Sequence, residues 1–232
     1  MVPRMSEYAY GVIMSAPPRS RRSDYAEATR QAIVDAARLL FARKGYFLTT
    51  VEDIAKEARV APTTVYAVSG GKQGLIRTLV DVWAQAPIVA ESLAELAELS
   101  DPDELLGHVA AVVRSMREEY GDIMRMLLTT APHNEDVREA LAIGTERYRS
   151  AIASVAVRLG ELGGLHPDMT VRQATDTLWF YFGYAGYFTL IDDNGWSYDQ
   201  AEQWLVKQAR MALRNGSPPA WSPPAARPSA GG

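Results

Sequence analysis

The chain has 232 residues, of which 47% are hydrophobic and 22% charged, and it has no cysteine. That composition suits a folded globular protein. It excludes a wholly disordered chain, a basic tail protein, disulfides, thiolate metal sites and cysteine nucleophiles. The net charge of −4 is unevenly spread: residues 1–72 hold 11 Lys/Arg against 7 Asp/Glu, whereas residues 73–232 hold 13 against 21, so a basic front suited to a polyanion precedes an acidic body.

In chain order, residues 1–22 mix Pro, Ser, Tyr and Arg without period and read as a disordered basic arm. Met14 offers a second start, in which case residues 1–13 are an upstream extension. A helix is expected from Asp24 to Lys44, because Ile33, Ala36, Ala37, Leu40 and Phe41 recur at helical spacing and Gly45 follows as a stop. Thr50 with Asp53 opens a short helix whose inner face is Val51, Ile54, Ala55 and Ala58. Pro62 opens another that carries Val65 inward and ends near Val68. Ser69-Gly70-Gly71 is a turn, and Lys72 begins a fourth helix with Leu75, Ile76, Leu79, Val82 and Trp83 along its stripe, interrupted at Pro87.

Beyond it, Asp101-Pro102 starts a helix through Met116, and Ile123 to Leu128 reads as a separate short one closed by Pro132. Asn134 caps a long helix reaching Leu162. Thr170 to Ile191 is another, and Ser197 with Gln200 caps the last, which ends near Asn215. Residues 216–232, with five prolines and three glycines, form a second disordered tail. No stretch alternates with period two and no internal repeat is present. The fold class is therefore all-α, with about nine helices. The apolar run Thr177 to Ile191 is 15 residues long, short of the roughly 20 a membrane span needs. With no signal sequence at the start, a cytoplasmic protein without membrane attachment is expected.

The helices Thr50–Ala58 and Pro62–Val68, separated by Arg59-Val60-Ala61, have the size and spacing of a helix-turn-helix, whose second helix enters the major groove. The run from Thr29 to Val80 resembles the DNA-binding domain of the TetR family of bacterial transcriptional regulators. The resemblance rests on AARLLF in the first helix, Gly45-Tyr46, Thr49-Thr50-Val51, Ile54-Ala55, Thr64-Val65-Tyr66, and Lys72 with Leu75. Three positions depart from the pattern: Arg59 replaces a turn Gly, Ala61 a Ser-like cap, and Ser69 a Phe. Arg59 must avoid a positive φ or accept about 1–2 kcal/mol of strain.

The resemblance divides the chain into a helix-turn-helix DNA-binding domain over 23–72 and a ligand-binding and dimerisation domain over 73–215. Candidate DNA contacts are Thr50, Tyr66 and Lys72 to phosphate, with Lys72 also at a helix N-terminus that favours anions. Thr63, Thr64 and Ala67 are candidates for base edges. Pro62 and Val51 would add apolar contacts, Arg59 a further phosphate, and Arg19, Arg21 and Arg22 a minor-groove arm.

In the second half, apolar side chains surround the segment after Thr170, so one side is expected to meet its own domain and the other a second subunit. Leu178, Tyr181, Ala185, Phe188, Ala201, Trp204, Leu205 and Gln208 are the candidate dimer interface. The resemblance further implies a small-molecule effector pocket, for which Trp83, Tyr120, Met124, Leu128, Tyr148, Trp179 and Phe182 are candidates, and the surplus of aromatics points to an apolar or aromatic effector. The expected function is a homodimeric repressor released from palindromic double-stranded operator DNA by that effector, with no cofactor and no metal. The alternatives are a helical dimer acting through protein contacts with weakened DNA binding, and an all-α enzyme. Against the enzyme, the three histidines form no HExxH and no G-x-S-x-G elbow occurs. Ser69-Gly70-Gly71-Lys72 is no phosphate loop, because Tyr66 and Gln73 stand where a P-loop needs Gly and Ser/Thr. Glu118 and Glu119 read as a solvated helix face.

Overall fold

The computed structural model describes residues 21–215; Arg19 of the expected arm and the whole expected tail 216–232 lie outside the described residues. The described residues form α1 (Arg21–Lys44), α2 (Val51–Glu57), α3 (Pro62–Ser69), α4 (Lys72–Ala84), α5 (Pro87–Leu96), α6 (Pro102–Thr130), α7 (Glu135–Glu161), α8 (Val171–Phe182), α9 (Tyr184–Phe188) and α10 (Tyr198–Arg214). A single 3-10 turn, Ala131–His133, joins α6 to α7, and a π turn, Thr189–Asp193, follows α9. Among the described residues there is no strand, and no helix is long and apolar enough to cross a membrane.

Local rules account for most boundaries. Thr50, Thr170 and Ser197 each close a reciprocal capping box with the residue three positions on, satisfying backbone donors that a helix start leaves bare. Asp101 and Asn134 cap α6 and α7. Pro87 does interrupt the chain, and it also occupies the first turn of a new helix. The buried Thr49 hydroxyl donates to the carbonyls of Gly45 (2.8 Å) and Leu40 (3.3 Å), taking up orphan acceptors where α1 stops.

Three expectations are corrected. The first helix already includes Arg21 and Arg22, ahead of the expected Asp24, so within the described residues these two arginines belong to the helix and not to a free arm. Ile123–Leu128 is not a separate helix: α6 runs unbroken from Pro102 to Thr130, because neither Pro nor a cap separates the two stripes and packing overrides the weak helix propensity of Gly121. Conversely, Thr170–Ile191 is not one helix. It breaks at Gly183, whose backbone is extended (φ −65°, ψ −173°); a Cβ there would lie 2.4 Å from the Trp179 carbonyl oxygen.

Two cores result. One is built by Ile33, Ala37, Phe41, Ile54, Val65 and Leu75 of the first four helices and continues through Trp83 to Met116, Tyr120, Ile123, Met124 and Leu127 on α6. The expected division at residue 72 thus cuts across one continuous core. The other core joins the first half of α6 to α7, α8 and α10 through Leu105, Val109, Ile152, Val155, Leu178, Phe182 and Leu205. Helix α6 belongs to both. Arg38 of α1 makes a two-pronged pair with Asp122 of α6 (2.7 and 2.8 Å) and also donates to the Glu119 carbonyl. Arg114 of α6 holds Asp199 and Glu202 of α10.

Candidate DNA interface and internal cavity

The turn between α2 and α3 is a Schellman motif: Val60 N–H donates to the Ala55 carbonyl (2.9 Å) and Arg59 N–H to the Lys56 carbonyl (3.2 Å). The left-handed residue at its centre is Arg59, at φ +57°, the one non-glycine with positive φ among the described residues. The motif keeps the geometry for which glycine is best suited and carries the strain. Ala61 precedes α3 without a side-chain cap, as its missing hydroxyl requires. At the third departure, the Ser69 hydroxyl donates to the Val65 carbonyl (2.7 Å) of its own helix. Helices α3 and α4 then approach backbone to backbone, since a Cβ on Gly74 would fall 1.5 Å from the Ser69 carbonyl oxygen.

Of the candidate contacts, Thr50, Arg59, Pro62, Thr63, Tyr66 and Ala67 are exposed and Thr64 is half-buried. Thr63, Tyr66 and Ala67 share one face of α3 at i, i+3 and i+4. Val51 is buried in the first core, so its expected apolar contact to DNA becomes a packing role: at the first position of α2 it points between the helices. Lys72 stands at the start of α4 with its ammonium 4.3 Å from the Tyr46 ring centroid, and partial burial lowers its pKa. The exposed Tyr66 ring lies over Gly71, where a Cβ would meet it at 3.1 Å, so Tyr66 and Lys72 flank the same turn. Sequence reasoning noted Tyr46 only as a shared feature. Its part here is to lay a ring under the lysine.

Behind this head, α5, α6 and α7 and the end of α4 enclose a cavity with about 770 Å³ of empty space, part of it open to solvent. Trp83 and Tyr148, of the seven expected pocket residues, line it. The other five do not. Phe182 is buried in the second core, Met124 lies under Arg117, Tyr120 and Leu128 pack in the first core, and Trp179 stacks edge-on against Tyr148 at 5.3 Å. The walls are mostly the aliphatic side chains of Leu96, Val109, Val113, Met116, Ile152 and Val155.

Arg117, which also lines the cavity, is 1% exposed. Its guanidinium donates to the Phe182 carbonyl (3.1 Å), the Tyr148 hydroxyl (3.3 Å) and the Met124 sulfur (3.2 Å), and its Nε–H has no partner. Tyr148, Tyr184 and Phe188 surround it with ring centroids 5.4–5.7 Å away. Burial pushes Tyr184 up to about 12 and raises Tyr148, so both phenols keep their protons at neutral pH. Sequence reading missed Arg117 among the charges of Arg117-Glu118-Glu119. The available signal was its register: it stands four residues after Val113 and three before Tyr120, on the apolar stripe of α6.

Ser92 of α5 and His108 Nε2 of α6 meet at 3.0 Å beside this cavity. Glu95 approaches the same nitrogen at 3.6 Å, so the three form no relay through opposite ring nitrogens of the kind a hydrolase uses. Among the described residues, no group of three or more His, Asp or Glu is placed to hold a metal ion.

On the far side, α8 and α10 each have an inner and an outer stripe. Leu178, Ala201 and Leu205, expected at a subunit interface, are buried in the chain's own core. Tyr181, Phe188 and Gln208 are half-buried and Ala185 is exposed. The outer stripe presents Trp204 (40% exposed) of the expected interface, together with Phe180 (72%) and Met211 (48%), which were not among the candidates.

Residues 33–79 match the family model described as bacterial regulatory proteins, tetR family. The uncharacterised HTH-type transcriptional regulator YvkB of Bacillus subtilis is 26% identical over 156 residues, 67% of this chain and 80% of the relative. Among solved structures, the triclosan complex of SmeT superposes with a TM-score of 0.68 at 18% identity over 87% of this chain and all of that one. The fatty acid degradation regulator FadR of Bacillus halodurans superposes with a TM-score of 0.67 at 17% identity over 80% of this chain and 96% of that one.

Proposed function

The chain belongs to the TetR family of bacterial transcriptional regulators, and from that premise we propose that it is a homodimeric repressor whose operator affinity falls when a small molecule enters the cavity behind Trp83 and Tyr148. The observation that carries the reading is the exposed face of α3 and its flanks: Thr63, Tyr66 and Ala67 on one side of a helix of recognition size, with Thr50 and Lys72 at the two adjacent helix starts. In this arrangement, Tyr66, Lys72 and Thr50 grip phosphates and set the register, while Thr63, Thr64 and Ala67 face base edges, where methyl groups suit thymine. Exposed Arg59 and Pro62 border the same face. The regulator acts where the chromosome is, in the cytoplasm. An effector acts only by binding the DNA-incompetent form more tightly.

A gel shift against the DNA flanking its own gene tests this reading. Nanomolar binding that weakens steeply with salt is expected, since each neutralised phosphate releases counterions. Lys72→Ala should weaken all sequences alike and reduce the salt slope by about 0.9, whereas Thr63→Ala should change which bases are preferred. Binding that ignores salt, or a Lys72→Ala slope equal to the wild type's, would count against the assignment.

A further inference from the structure

We propose that the ligand of the cavity is an amphipathic anion, an apolar body ending in a carboxylate that Arg117 receives. The proposal rests on the reading of this cavity as the effector site and deepens it. Among the described residues, the lining contains two cations, Arg117 and Arg147, and no carboxylate. Arg117 is the inner one, 1% exposed. No Asp or Glu among the described residues reaches it within salt-bridge distance; its acceptors are a carbonyl, a phenol and a thioether, all neutral, and its Nε–H is left without a partner. A buried charge is costly unless a counter-charge meets it. Pinning the Phe182 carbonyl at the break after α8 needs only a neutral donor, so that contact does not account for a full cation at the end of an apolar cavity.

The shape agrees. From Val109 to Arg117, α6 rises about 12 Å, and α7, which returns after one short turn, lines the same space from Val155 to Tyr148. Aliphatic walls therefore lead up to the guanidinium. A carboxylate offers it two acceptor oxygens in the fork geometry that arginine matches. Arg147, exposed at the mouth, adds attraction of the same sign.

The test compares matched probes on the DNA-free protein: octanoate, decanoate and 4-phenylbutyrate against octanol, decanol and 4-phenylbutanol. Binding is read by quenching of tryptophan fluorescence, to which Trp83 in the lining contributes, and by the thermal midpoint. At least one carboxylate is expected to bind tenfold or more tighter than its alcohol, and Arg117→Gln should abolish that preference while leaving the alcohol's affinity within about twofold. Equal binding of acid and alcohol to the wild type, no binding by any carboxylate of the series, or a preference that survives in Arg117→Gln would overturn the proposal. If Arg117→Gln fails to fold, the wild-type comparison decides alone. The same carboxylate is then added to the gel shift. Binding without operator release leaves the anion site standing and overturns the effector reading instead.

Discussion

At the scale of single residues, the turn before α3 carries strain that a substitution can release. Arg59 is held at φ +57°, a conformation that costs a non-glycine about 1–2 kcal/mol, and glycine gives back about 0.5–1 kcal/mol of that through its freer unfolded chain. Arg59→Gly should therefore stabilise the protein by about 0.5–1 kcal/mol, a rise of roughly 1–4 °C in Tm for a chain of this length. Ala61→Ser should add about 0.5–2 kcal/mol by supplying the cap that α3 lacks. A melting temperature unchanged or lowered in both variants would contradict this account. These sites were legible because their rules are local: Thr50 with Asp53 announces a capping box, and a residue other than glycine in this turn announces a cost. Arg117 was not, because its burial depends on α7, α8 and α9 closing over it, and the neighbouring Glu118 and Glu119 make the segment look like a solvated face.

At the scale of elements, α6 joins the head to the body through α1, as α4 does where Trp83 packs against Gly144 of α7. It carries Arg117 beside the cavity and, five residues on, Asp122, which α1 holds through Arg38. Burial alone would raise the Asp122 carboxyl. The hydrogen bonds and charge of Arg38 outweigh it and hold the group below the usual carboxylate range. A carboxylate depressed in the folded state stabilises fully above its unfolded pKa of about 3.9 and loses that contribution as pH falls through the folded value. Both partners are about one-third exposed, so solvent screening keeps the expected loss in Asp122→Asn near 0.5–1 kcal/mol at pH 7. Urea melts should find the variant and the wild type converging as pH drops below about 3; a gap of equal size at pH 7 and pH 2.5 would exclude the pair as its source. The same variant loosens the tie between α1 and α6, so operator release should need more effector. Sequence periodicity located both stripes of α6 but not their continuity, since nothing local distinguishes a helix running through Gly121 from two that abut there. The break at Gly183 was hidden for the opposite reason: apolar residues on every side suggested one long helix, and only packing reveals that the chain turns there to bury Tyr184 and Tyr187.

At the scale of the whole molecule, the proposed repressor needs two heads at a fixed separation, and we propose the outer stripe of α8 and α10 as the surface that sets it. Phe180, Trp204 and Met211 are exposed there, Phe180 on the face of α8 opposite Leu178, and Trp204 and Met211 beside the buried stripe of Ala201 and Leu205 on α10. Periodicity grouped Trp204 with Ala201, Leu205 and Gln208 on one face of α10 and offered that face to the partner, without separating the members that the chain's own core takes. Leu178, Ala201 and Leu205 pack in the chain's own core and have no surface left to offer, whereas Trp204 and Ala185 keep theirs. If the outer stripe pairs with its twin, Phe180→Glu and Met211→Glu place unpaired charges in the interface. Each should yield a monomer by light scattering at micromolar concentration, with helical content unchanged, because neither side chain supports the core. Operator affinity should then fall by about 10²–10⁴, the advantage of linking two half-site contacts, while each head keeps its preference for the same bases. A variant that stays dimeric, or one that becomes monomeric yet binds the operator as before, would move the interface elsewhere or remove the need for it.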